Sequence, residues 1–367
     1  MSDLRLERLA HLLVQYSLEV KPGDWVGITG DVVVLPMLRA LHREILQAGG
    51  HPSIIMSDEA MEFTLLHEGS DEQLTWADPL TARFIESANG YIRVAGVPNP
   101  RAKTNIDPAR IQKQQLAQGG TFGTFMRRTS TGELRWAVTL YPTHGWAQEA
   151  GMSLEEFTDF VYGAAFCDRA DPVAEWLRLR DIQQQKVDWL RGKRQIRIEG
   201  EQVDLELSIE GRTFVNSHGR HSICDGEIYT GPVENSANGW VKFSFPAMMR
   251  GQWIKGIRLG FRDGRVVEAS AEENERGLLA LLDTDEGARG LGEFAIGMNE
   301  RILRPTGQLL FDEKIAGTFH LAVGAGYPDT GNTNRSAIHW DLVCDMRPGG
   351  RMYADGQLFY ENGVFVV

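Results

Sequence analysis

The sequence predicts two domains of different class. The first, over residues 1–192, is an α/β domain with a largely parallel sheet; the second, over residues 193–367, is mainly antiparallel β, of α+β type. Three observations predict this. A chain of 367 residues is long for one core, so two domains are the better expectation. The first half alternates apolar patterns of helical and strand period, as βαβ units do. The second half is dominated by apolar–polar alternation broken by glycine turns. With 42% apolar residues, the chain has the material to bury such cores.

Taken in order, Leu6, Leu9, Leu13 and Tyr16 recur at steps of three and four, one face of an amphipathic helix. "KPGD" ends it, and "WVGITG" reads as a short buried strand. Leu38, Leu41 and Ile45 mark a second helix stopped by Gly49 and Gly50. "PSIIM" and "GYIRVAGV" read as further strands. The glycines of "GITGD" are a weak phosphate-loop signal, because no Lys-Ser/Thr ending and no GxGxxG pattern follow; a tight turn is the better reading. A long helix is expected over residues 171–192, with Asp171 as N-cap, Pro172 at the first helical position and Gly192 as the stop. Beyond it, "QIRIEG", "DLELSIEG", "VKFSFPA" and "IKGIRLGFRDGRVVEASA" have strand alternation, with Asp263-Gly264 as a hairpin turn. The domain boundary is drawn near residue 193, and there is no repeat at fixed period.

Composition also bounds the partners. A net charge of −12 and the lack of a long basic run argue against nucleic acid. No stretch approaches 18 consecutive apolar residues, so no membrane span is expected. "MSDLRLERLA" lacks the charged-then-apolar plan of a signal peptide. Cys167, Cys224 and Cys344 are odd in number and widely scattered, which favours reduced thiols and a cytoplasmic setting.

The chemistry concentrates in "HLAVGAGYPDTGNTNRSAIHWDLVCD", residues 320–345. On a strand, His339 and Asp341 share a face, with Trp340 on the other. Carboxylate oxygen suits hard divalent ions and imidazole suits zinc, cobalt or iron. Alone, H-x-D more often marks a hydrogen-bonded pair, and a histidine in an apolar run, as His320 is, more often a satisfied core residue. Two strands joined through "YPDTG" and "NTNRS" would bring His320 beside His339, giving two imidazoles and one carboxylate. Glu227, after the turn Asp225-Gly226, and Glu293, before the apolar run "FAIGM", are possible additions. Their distance along the chain prevents spacing from joining them, and an ordinary surface role is the simpler reading of each.

Four long segments carry a further observation. "DGEIYTGPVE", "DEGARGLGEFAIGMNERI", "LLFDEKIAGTFHLAVGAGYPDTG" and "NRSAIHWDLVCD" resemble, in this order, the M29 metallo-aminopeptidases. Weaker likeness in "TLYPTHGWAQEAGMSLEEF" and "DRADPVAEW" extends the resemblance to the whole chain. It implies a metal-binding C-terminal domain that holds two divalent ions (zinc, cobalt or manganese) through Glu227, Glu293, His320, His339 and Asp341. It also implies Tyr327 as an active-site tyrosine. The implied activity is hydrolysis of the N-terminal residue from peptides with a free N-terminus, through a two-metal-activated water. Tyr327 would stabilise the oxyanion and Glu227 or Glu293 would act as base; a cytoplasmic homodimer is implied as well. "SICDGE" replaces the family's usual approach to the first glutamate, and the loop from Tyr327 to His339 is short, departures that bear on substrate preference. The alternative is a mononuclear Fe(II) ring-cleaving dioxygenase of the dihydroxypyridine type using His320, His339 and Asp341 alone. Glu227 and Glu293 are the residues a second metal needs and a single iron does not.

Overall fold

The opening helix forms where the apolar spacing places it. Leu4–His11 is α-helical and Leu12–Ser17 widens to a π-helix, with Leu6, Leu9, Leu13 and Tyr16 all buried. The computed structural model describes residues 3–249 and 252–367. By contacts these fall into two units, one reaching to Glu175 and taking in Gly219–Cys224, the other built from Trp176–His218 and Asp225–Val367.

In the first unit, strands Trp25–Asp31, His51–Ser57, Gly90–Ala95 and Arg135–Leu140 make a four-stranded sheet. All its pairings are parallel, and Trp25–Asp31 lies between His51–Ser57 and Gly90–Ala95. Parallel neighbours require crossovers, and helices supply them. Leu35–Gln47 buries Leu38, Leu41 and Ile45 and stops before Gly49, whose φ is +82°. The "GITGD" glycines serve packing: a Cβ on Gly30 would sit 2.7 Å from Val34, and the Asp31 carboxylate accepts the Val33 amide at 2.9 Å. Sequence patterning did not mark the helices Glu59–Glu68, Asp71–Leu74, Pro79–Ser87, Pro108–Ala117 and Gly119–Ser130, or the fourth strand.

The second unit takes in the long helix Pro172–Leu190 from Trp176 onward; the helix's Ala174 amide is capped by Asp171, and it ends before Gly192 at φ +80°. The strand Gln195–Gly200 starts just past it and enters an eight-stranded antiparallel sheet. In that sheet Arg258–Arg262 and Arg265–Ser270 pair through Asp263 and Gly264, both at positive φ, the conformation of a type I′ hairpin turn. "VKFSFPA" is only partly strand: Asn238–Lys242 stops there and Ala247–Met249 is separate. The second antiparallel sheet has five strands in the order His339–Asp345, Thr318–Gly324, Leu291–Gly297, Glu227–Thr230, Val215–Ser217. One core joins the two sheets, with Ile196, Ile198, Leu205 and Val241 from the larger and Phe294, Phe319, Leu321 and Trp340 from the smaller. Cys167, Cys224 and Cys344 are buried thiols. No helix among the described residues is long and apolar enough to cross a membrane.

Candidate metal centre

Side chains of a strand alternate between faces, and the five-stranded sheet uses this to separate its chemistry from its core. Ile228, Phe294, Ile296, Phe319, Leu321, Trp340 and Leu342 enter the core. The residues between them project from the other face: Glu227, Glu293, His320, His339 and Asp341. Their cross-strand neighbours are small, apart from Val343 opposite His320. Register sets Gly297 opposite Glu227, Ala295 opposite His320, Ala322 opposite both Glu293 and Asp341, and Gly324 opposite His339. Long polar side chains therefore have room to converge. A bulge between Leu291 and Glu293 makes the phase possible. Strict alternation would set Leu291 on the side of Glu293; the extra residue, Gly292, lets Leu291 join the core while Glu293 stays on the polar face.

The five residues meet. His320 Nε2 lies 3.4 Å from Glu227 Oε2, 3.7 Å from Glu293 Oε1 and 3.9 Å from Asp341 Oδ1. His339 Nε2 lies 3.1 Å from Glu293 Oε2 and 3.5 Å from Asp341 Oδ2. The two oxygens of Glu293 thus face different imidazoles. Donors roughly 2.0–2.2 Å from a tetrahedral ion are themselves about 3.4 Å apart, so these separations suit ligands around a small cation. Donor atoms of Glu227, Glu293 and His320 lie within 4.8 Å of one another, and so do those of Glu293, His339 and Asp341. His339 Nδ1 sits 2.7 Å from the Ala325 carbonyl oxygen, which favours the tautomer with its proton on Nδ1 and leaves Nε2 free for a ligand bond.

The donor set fits a divalent cation on a second count. Glu227 Oε2, Asp341 Oδ1 and His320 Nδ1 are buried with no hydrogen-bond partner, and the first two face the cluster. Buried polar atoms are normally satisfied, so two orphaned carboxylate oxygens directed at one point mark a place for positive charge. The electrostatics agree. Burial pushes the Glu227 carboxyl up to about 8, against the pull of Lys314 and His320. Burial acts to lower both imidazoles, but the carboxylates outweigh it: Glu293, Glu227 and Asp341 raise His320 to about 9, and Asp341 with Glu293 raises His339 to about 12. Asp341 and Glu293 resist burial's upward push and are held below the ordinary range, Asp341 by His339 and His320, and Glu293 by the same two imidazoles. A dication held by these donors would displace the protons.

Sequence patterning missed two members of the cluster. Glu313 offers an oxygen within 4.8 Å of donor atoms on His320 and Asp341, a third possible ligand group. Lys314 places its ammonium on Glu227 Oε1 and, at 2.7 Å, on Glu313 Oε1. Both residues follow the short helix Leu309–Asp312 and lie outside any strand. Periodicity therefore says nothing of their direction; only their position seven and six residues before His320 hinted at them. Tyr327 packs its ring 4.8 Å from His339 and 5.4 Å from Tyr229. It is 42% exposed, yet its hydroxyl is still raised, first by desolvation and then by the charges of Glu293, Asp341 and Glu313. The loop that follows is tied down by Asn332, which donates to the Pro232 and Leu291 carbonyls, and by Asn334, which donates to those of Gly287 and Gly324.

Comparison with known proteins gives a consistent result. The model of the family described as thermophilic metalloprotease (M29) matches residues 2–365. Aminopeptidase 2 of Geobacillus stearothermophilus is 28% identical, with 93% of this chain and 92% of that protein covered. Aminopeptidase T of Thermus thermophilus is 26% identical over 96% of this chain and 95% of its own. The solved structure of wild-type AmpT from Thermus thermophilus superposes with a TM-score of 0.87 over 99% of each chain at 26% identity. A 2,5-dihydroxypyridine dioxygenase from Pseudomonas putida superposes with a TM-score of 0.62 at 12% identity, covering 100% of this chain and 98% of its own, a likeness of fold alone.

Proposed function

We propose that this chain, which belongs to the thermophilic metalloprotease (M29) family, is a metal-dependent aminopeptidase that removes the N-terminal residue of peptides at a site for two divalent cations. The observation that carries the reading is the pair of donor sets sharing Glu293: Glu227, Glu293 and His320 on one side, Glu293, His339 and Asp341 on the other. Relatives named as aminopeptidases, matched over nearly their whole length, support the same reaction.

In this reading Glu227 and His320 would hold one cation, His339 and Asp341 the other, and Glu293 would offer one oxygen to each. Zinc, cobalt or manganese there supplies Lewis acidity, lowering the pKa of water towards neutral and polarising the scissile carbonyl. The residues themselves do the rest. The Tyr327 hydroxyl, pushed up by its surroundings, keeps its proton at neutral pH and donates to the carbonyl oxygen as negative charge develops there. A carboxylate takes the proton of the attacking water and delivers it to the amine nitrogen as the C–N bond breaks. Glu227 and Glu293 are candidates from the sequence, and the geometry adds Glu313.

A ring-cleaving dioxygenase would need only His320, His339 and Asp341. Glu227 and Glu293, in the same cluster, favour hydrolysis. The test is direct. Purified protein is analysed for metals and assayed with dipeptides and amino-acid amides, beside His339→Ala and Asp341→Ala. Expected are two zinc, cobalt or manganese ions per chain, and release of the first residue that falls on the order of 10²-fold or more in each variant. Unchanged turnover in both variants, or a single iron with no peptidase activity, rejects the reading.

A further inference from the structure

The proposed ligand set leaves out one charged group that contacts the cluster. Lys314 is buried, its side chain only 8% exposed, and its ammonium contacts two carboxylates, Glu227 through Oε1 and Glu313 through Oε1 at 2.7 Å. Its place is set by backbone. Gly297 stands opposite Glu227 in register. A Cβ on Gly297 would lie 2.3 Å from the Ile315 carbonyl oxygen and 2.9 Å from the Lys314 carbonyl carbon. The segment at 314–315 therefore lies flush on the strand beside Glu227, in space that any side chain at 297 would fill. Two bonds pin it there: the Lys314 amide donates to the Phe311 carbonyl, and the Asn299 amide donates to the Lys314 carbonyl, each at 3.0 Å.

The consequence lies in which oxygen remains. Glu227 Oε1 belongs to Lys314, whereas Oε2 is buried, has no hydrogen-bond partner and faces His320 Nε2 at 3.4 Å. We infer that Lys314 is a positioning residue that restricts Glu227 to a single donor oxygen and keeps one fixed positive charge beside the cations. The inference rests on the metal reading above. A carboxylate free to rotate would present both oxygens; one clamped by an ammonium presents the second alone. The clamp weakens cation binding twice over, by withholding a ligand atom and by like-charge repulsion. In exchange it fixes the geometry of the site.

The experiment compares wild type, Lys314→Met and Lys314→Arg. Each is stripped of metal and checked for folding by circular dichroism. Cobalt affinity is then measured by calorimetry, the visible absorption of the cobalt-loaded protein is recorded, and kcat and KM are determined with a dipeptide. For Lys314→Met the expected result is at least tenfold tighter cobalt binding and weaker visible absorption, because coordination number rises as Glu227 Oε1 joins. kcat should fall at least tenfold with KM within threefold. Lys314→Arg, which keeps the charge and a two-carboxylate fork, should bind cobalt within threefold of wild type. Cobalt affinity and spectrum in Lys314→Met equal to those of wild type overturn the inference while leaving the metal reading intact; a wild type that takes up no divalent cation overturns both. If Lys314→Met does not fold, a crystal structure of the cation-loaded wild type decides. One Glu227 oxygen on the cation and the other on Lys314 supports the inference; both on the cation overturns it.

Discussion

His339 does three things with one ring. Its Nδ1 is engaged with the Ala325 carbonyl oxygen, its Nε2 faces Glu293 and Asp341, and its face packs beside Tyr327. Orientation by a backbone oxygen presets Nε2, so under the proposed metal reading the ring would not have to be ordered when an ion arrives. The aromatic contact ties Tyr327 to the same ring. Tyr327→Phe keeps that packing and removes only the hydroxyl. It should leave metal content and KM near wild type and lower kcat by about 10²–10³, the usual cost of losing one oxyanion donor. Metal analysis beside steady-state kinetics checks this, and a variant with unchanged kcat would remove Tyr327 from the reaction.

At the scale of elements, the strands account for the site. His320, His339 and Asp341 were legible because period-2 alternation places them on a face, and the structure has them opposite Phe319, Leu321 and Trp340, which are fully buried. Glu293 was less legible, since its phase depends on the bulge at Gly292, and a bulge is a property of pairing. Hairpin chemistry was legible at Asp263-Gly264, and the same signal stands in Asp355-Gly356 and Asn362-Gly363; all six residues of the three pairs have positive φ. Gly297 is the element-scale counterpart of the clamp, because it admits the Lys314 segment onto the strand. Gly297→Ala should destabilise the protein by about 1–3 kcal/mol through overpacking against backbone that cannot rotate away. Calorimetry would read this as a drop in Tm of roughly 2–4 °C per kcal/mol; an unchanged Tm would show that the segment yields freely.

Across the whole molecule, the cluster is a concentration of charge that folding must accommodate. Glu227, Glu293, Glu313 and Asp341 stand against one ammonium, and without cations the balance is made with protons. Glu227 is raised from 4.5 to about 8 and His320 from 6.5 to about 9. A group whose folded pKa lies above its unfolded one stabilises the fold while protonated, and that contribution is lost as pH rises through the folded value. The two windows join between pH of about 4.5 and 9. The depressed carboxylates, Glu293 and Asp341, act oppositely, but they lose their contribution only below the ordinary carboxylate range. Metal-free protein should therefore melt at progressively lower temperature from pH 5 to 9. Saturating zinc or cobalt should reverse the trend, because cations bind the deprotonated ligands. A metal-free Tm that climbs across this window would contradict the assigned directions.

Local pattern by itself determined the class of each half, the long helix with its cap and stop, and three ligand candidates within residues 320–345. Those features depend on neighbours a few residues away, whose apolar spacing and turn chemistry can be read directly. Resemblance to a family joined Glu227 and Glu293, open from the residues alone, to that set and added Tyr327. Only the tertiary structure decided that Glu227, 66 residues before Glu293 and 93 before His320, lies with them, since strand order rather than sequence order makes neighbours. It alone also brought in Glu313 and Lys314, which lie on irregular backbone with no period to extrapolate. Their direction is set by Gly297, where a missing side chain leaves room for a buried ammonium.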